Sequence, residues 1–221
     1  MSKRYKFLKL KNNKLESSSG NEIWSVGKWE KFDGELKMCE SGFHCSKDKY
    51  NAFSYVQGEI LAEVEVKGKS IKEKNKEVWS EMRLVKLWKW QKKDSVALSI
   101  FSAELCLNNF EKVYPDDKRP REAIEAAKRW LKEPIEANKL AAWSAAESVE
   151  SVATESVAES AKSAWLAAWS AWSAAWSAAE SVESAESAWS AAWSAMESTV
   201  KSATIKKIQN WINKRKLEKY E

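Results

Sequence analysis

Phe43-His44-Cys45 sets the only histidine of the chain beside one of its three cysteines, and Cys39 lies shortly before them. Histidine and cysteine are zinc ligands, and a thiol beside an imidazole is the pairing of a cysteine nucleophile with its base. Neither chemistry fits this spacing. Neighbouring side chains diverge on a strand, no third group can be assigned to orient His44, and the remaining thiol, Cys106, falls in a predicted core helix. No metal, cofactor or catalytic residue is therefore expected. His44 is left with two roles, a structural hydrogen bond in a strand or turn, or contact with a ligand, and it is kept as a candidate binding residue.

Tryptophan is the other chemically conspicuous residue, with 14 in 221 positions. Trp165, Trp169, Trp172 and Trp176 are spaced 4, 3 and 4 apart. At about 100° per residue this puts their indoles on one stripe of a helix. Such a stripe is either internal core or a docking surface, since tryptophan is enriched among residues that dominate binding energy. Trp88 and Trp90 share one face of a predicted strand, with Lys86, Lys89, Lys92 and Lys93 around them. Together with Lys3, Arg4, Lys6, Lys9, Lys11 and Lys14, this mixture suits a single nucleic-acid strand. A net charge of +5 is no more than a solvated sheet face would carry.

The elements that position these residues divide the chain in two. All six glycines and three prolines lie at or before Pro134, so the remainder should be almost wholly helical. Charge divides with them: residues 1–135 hold 28 basic against 21 acidic side chains, 136–200 hold 2 against 9, and 201–221 hold 7 against 2. Before Pro134 the pattern is α+β. Strands are predicted at 5–10, 35–39, 59–66 and 81–90, and a short helix at 49–56. A buried helix starts from an Asp94 N-cap, and a second carries Pro120 near its first position and Ile124, Ala127 and Leu131 on its inner face. AAWSAAESVES at 141–151 recurs letter for letter at 174–184, and serine recurs there near the helical period. The stripe's register fails beyond Trp176, where Glu180 and Glu183 would continue it, so either the arm folds back near 177–188 or successive segments face different neighbours, and two or more packed helices are expected. ATIKKIQNWINKRKLEKY then reads as an amphipathic terminal helix with Ile205, Ile208, Trp211 and Ile212 on one face. The expected architecture is a small mixed or antiparallel sheet domain with helices (1–93), a helical connector packed on it (94–134), and an all-α, repeat-like arm (135–221).

YKFLK, GFHCS, YVQGEILAEVEVKG, SEMRLVKLWKW and YPDDKRPREAIEAAKRWLKEP resemble a family of uncharacterised proteins of bacteriophages and other mobile elements. Some of its members are labelled putative immunity proteins and carry Ala/Trp-rich helical repeats. The resemblance implies a setting of conflict between a mobile element and its bacterial host, and transfers no catalytic residue. The order of a Gly-Phe-His loop, a short helix, a strand and a later glutamate also resembles ADP-ribosyltransferase-like folds, which would give roles to His44, Tyr55 and Glu81. The leading expectation is a non-enzymatic, cytoplasmic inhibitor that binds a host defence protein such as a CRISPR nuclease. Its candidate surfaces are the Trp165/Trp169/Trp172/Trp176 stripe, Trp88, Trp90 and His44. An immunity protein against a cognate toxin, a transferase and a nucleic-acid binder are the alternatives. Neither an apolar leader nor a membrane span is evident.

Overall fold

The computed structural model describes residues 3–18, 22–155, 162–179, 184–199 and 201–220. Strands β1 (Arg4–Lys11), β2 (Lys14–Glu16), β3 (Ile23–Trp24), β4 (Glu30–Lys31) and β5 (Phe43–Cys45) precede helix α1 (Lys49–Tyr55) and the long strands β6 (Ile60–Lys72) and β7 (Glu77–Lys89). Then come α2 (Lys92–Val113), α3 (Arg119–Lys132), α4 (Glu136–Glu155), α5 (Lys162–Ala179), α6 (Ser184–Ser198), α7 (Lys201–Lys214) and β8 (Glu218–Lys219). The class is α+β, as expected. Two compact units are formed, one from Met1–Trp90 with Ile212–Glu221 and one from Gln91–Trp211.

In the sheet unit all named strand pairs are antiparallel, in the order β3-β2-β1-β6-β7-β4, with β5 and β8 also on β7. β7 is apolar at Met82 and Leu84 and again at Leu87, a break in the alternation that a bulge explains. Glu63 pairs with Lys86 but Val64 with Leu84, so Val85 is the extra residue that returns Leu87 to the core face. A second irregularity follows Lys67, where Gly68 has φ +82° and a side chain would strike Ser80 Oγ. The core on one side gathers Leu8, Trp24, Phe43, Ile60, Val64, Met82 and Leu84. On the other, Phe7, Phe53 of α1 and Trp90 form a cluster of edge-on and tilted rings.

The strand expected at 35–39 is instead a turn. Lys37 and Ser41 exchange backbone hydrogen bonds and Cys39 takes φ +66°, which no strand accommodates. The terminal helix also stops earlier than its pattern suggested. Ile208 and Ile212 are fully buried as expected, but after Lys214 the chain extends and β8 pairs with Trp88 and Lys89 of β7. The last ten residues therefore belong to the sheet unit rather than to the arm.

Glu77, at the start of β7, is buried. It accepts hydrogen bonds from Arg4 Nε (2.7 Å) and Nη2 (3.0 Å) and from Trp79 Nε1 (2.9 Å). Burial pushes this carboxyl up, but these donors outweigh it and hold it below the ordinary glutamate value of 4.5. A carboxyl depressed in the folded state stabilises fully above its unfolded value, and the benefit is lost as pH falls through the lower folded value. Glu77→Gln is expected to lower stability at pH 7 by about 3 kcal/mol by removing the charge paired with Arg4. It should also flatten the loss of stability between neutral and acid pH, as read by urea unfolding.

In the helical unit, Asp94 is not the N-cap but the third helical residue of α2. Its carboxylate accepts the Gln91 N–H at 2.9 Å, closing a capping box in which Gln91 is the cap. Pro120 opens α3, and Ile124 and Ala127 are buried. α5 is central, packed against α2, α3, α4 and α6. α2 and α3 thus share a compact unit with the repeat, where composition had assigned them to a connector on the sheet. Ser170, Ala171, Ser173, Ala174, Ala175, Ser177 and Ala178 of α5 are all fully buried. Small side chains admit close helix approach, and Ser170 Oγ crosses to the Ala191 carbonyl of α6 at 2.9 Å. α5 and α6 thus pack side by side as the broken stripe implied; Glu180 and Glu183 lie outside the described residues. Ala174→Leu overfills this core and is expected to cost about 1–3 kcal/mol, measured as a lowered thermal midpoint.

Candidate functional site

A cavity of about 670 Å³ opens in the sheet unit, with Lys6, His44, Tyr55, Phe32, Phe43 and Lys76 among its lining. Its position follows from the ladder between β1 and the end of β5. Tyr5 and Ser46 exchange both backbone hydrogen bonds (2.8 and 2.9 Å), and the next antiparallel pair in that register would be Phe7 with His44. That pair is not made. The strands part there, and the space between them is the cavity.

His44 holds one wall. Its Nε2 accepts the Cys39 N–H at 2.8 Å, pinning the 37–41 turn beneath it. Burial and the nearby Lys6 charge keep its imidazole below the ordinary histidine value, consistent with a neutral ring that accepts. Gly42 has φ +98°, and a side chain there would strike Leu36 and Val78. Cys39 Sγ lies 2.8 Å from Lys76 Nζ. Cys45, on the opposite face of its strand from His44, is buried in the core, where burial pushes its thiol up to about 12. Among the described residues no group of three or more His, Cys, Asp or Glu is arranged to hold a metal. Of the transferase-like set, His44 and Tyr55 line the cavity while Glu81 pairs with Lys67 at 3.2 Å and is not part of the lining. Iodoacetamide at pH 8 is expected to alkylate Cys39 in the folded protein and Cys45 and Cys106 only on unfolding, which peptide mass spectrometry reads directly.

Residues 5–93 match the model of a family described as a domain of unknown function (DUF7666). The match therefore spans the sheet-forming segment from β1 to the first turn of α2, cavity included, and leaves the other helices outside it. No curated protein and no solved structure matches the chain.

The basic and aromatic mixture near the N-terminus is dispersed. Arg4 is bound to Glu77, Lys3 pairs with Glu63 at 3.4 Å, and Lys89 pairs with Glu218 at 2.8 Å. Trp90 is 5 % exposed and is core, unable to stack on a base. Trp88 is partly buried beside α1, its ring 6.0 Å from Lys49 Nζ.

The helical unit holds the other candidate. Trp169 and Trp172 are in contact at 4.8 Å between ring centroids, Trp172 and Trp176 stack at 5.4 Å, and Trp143 of α4 joins Trp176 at 5.5 Å. Four indoles thus form a continuous ladder, ending where Trp169 Nε1 donates to Ser190 Oγ of α6 at 3.3 Å. Trp169, Trp172 and Trp176 are half-buried, and Trp143 is 41 % exposed. Trp165 belongs to the same helix, but its side chain lies outside the described residues. The sequence stripe did not include Trp143, which comes from another helix. Its only signal was its place at the start of the duplicated AAWSAAESVES, the copy of which begins with Trp176 in the equivalent position.

Proposed function

We propose that the protein is a non-enzymatic inhibitor, encoded by a bacteriophage or related mobile element, that docks on a host defence protein such as a CRISPR nuclease and blocks it. The observation that carries this reading is the indole ladder. Alanine and serine fill the interior of the helical unit around α5; Trp172 and Trp176 pack one side against it while the indoles stay lined up in contact on a partly open face. Rigid aromatic side chains bordered by small residues are the composition of a binding hot spot. The acidic stretch 136–200, with 9 carboxylates against 2 cations, complements the basic channel of a nucleic-acid-processing enzyme and would speed encounter with it. The resemblance to mobile-element proteins supplies the setting.

The test is interference. Expression of the full chain in bacteria with an active CRISPR nuclease should restore plating of a targeted phage, and the nuclease should co-purify with it. Trp143→Ala with Trp176→Ala should weaken that binding by at least about 30-fold, the equivalent of losing one hot-spot residue, with the helical signal in circular dichroism retained. Defence left intact by the wild-type chain, or inhibition undiminished in the double variant, would overturn the reading.

A further inference from the structure

The β1–β5 cavity has a property that the docking reading does not use. Lys6 reaches it partly buried and with little to bind: among the described residues its ammonium has one hydrogen-bond acceptor, the His44 carbonyl at 3.5 Å, with the Trp24 ring 5.5 Å away. Among the described residues no carboxylate comes within ion-pair distance. An ammonium has three donors to satisfy, and its partial withdrawal from water has a cost that a bound anion would offset. Burial accordingly holds the Lys6 ammonium below the ordinary lysine value.

Two further donors face the same space. Because Tyr5 and Ser46 turn their backbone groups toward each other, the alternation of a strand turns the N–H groups of Phe7 and His44 into the gap where pairing stops. Native structures leave few such groups unpaired. The rest of the lining mixes flat rings, Phe32, Phe43 and Tyr55, with serine hydroxyls and the Glu22 and Glu40 carboxylates, and a second cation, Lys76, is held nearby by Cys39 and Glu73. A volume near 670 Å³ is that of a site for a small organic molecule.

We propose that this cavity binds a small organic anion, an aromatic body carrying one carboxylate or phosphate group, with the Lys6 ammonium as its counter-ion and the Phe7 and His44 N–H groups as further donors. Glu22 also lines the cavity, and its carboxyl is pushed up by burial. Its negative charge opposes an anion at Lys6, which makes it a second handle on the same site.

The experiment is calorimetric titration of the full-length protein with phenyl phosphate, benzoate and, as the neutral analogue, benzyl alcohol. One or both anions should bind at least tenfold more tightly than benzyl alcohol, and which of them does so identifies the head group. Lys6→Met, which keeps the length of the side chain, should abolish that preference and, by removing a partly desolvated cation, should not lower the thermal midpoint. Glu22→Gln should tighten anion binding several-fold. Equal binding of the anions and the alcohol, no binding of either anion, or an undiminished preference in Lys6→Met would overturn the proposal. If Lys6→Met does not fold, Glu22→Gln decides: anion binding unchanged or weakened in that variant would equally overturn it.

Discussion

The sheet unit depends on the need of one strand to pair both of its edges. β7 is 13 residues long, and β6 satisfies one edge along nearly all of it. The other edge would be a long exposed ladder, a liability in any sheet protein. It is met piecemeal: β5 pairs with Glu77 to Trp79, β4 with Glu81 and Met82, Val26 bridges to Leu84, and β8 pairs with Trp88 and Lys89. Segments drawn from distant parts of the sequence are thereby fixed in space. β5 is held on β7 at one side, while on the other the backbone bonds to β1 are made just past its end, between Ser46 and Tyr5, and the cavity exists because one short strand cannot follow both neighbours.

A different economy governs the helices. Their interior is built from alanine and serine, whose burial contributes little area per residue, so stability rests on many close contacts between α5 and the four helices around it. α2 and α3 supply the larger apolar groups, Ile100, Leu107, Phe110 and Ile124. Where helices approach this closely an indole does not fit between them, and Trp169, Trp172 and Trp176 emerge at the boundary of the packed region. The boundary position of these three indoles is thus a consequence of how little room the core leaves around α5.

Much of this was legible in the sequence where a period was sustained. The class, β1, α1, the long helices and the separate packed helices of the repeat follow from alternation, helical spacing and the positions of glycine and proline. What was missed depends on tertiary partners. β2, β3, β4 and β8 are two or three residues long and are strands only because β1, β2 or β7 lies beside them. ELKMC alternates like a strand, but its fate is decided by His44, which draws the Cys39 N–H into a turn. The extent of β6 is underestimated because Gly68 interrupts the apolar pattern at a bulge, and that of β7 because its first strand residue is a glutamate, Glu77, buried only by virtue of Arg4 and Trp79. Of the site, His44 could be singled out by its rarity. Lys6 could not be told from the other lysines of β1, since only the parting of two strands makes its position unusual.

The pairing of β8 with the end of β7 bears on how such a chain can change length. The polypeptide leaves the sheet at Trp90 and returns to it at Glu218, beside Lys89. The helices are therefore an excursion from a domain that is completed only afterwards, and both ends of that excursion are tethered to adjacent positions on one strand. The duplicated segment lies in its interior rather than at a free end. A change in the number of repeat units there would leave the two points of attachment on the sheet unit, beside Lys89, where they are.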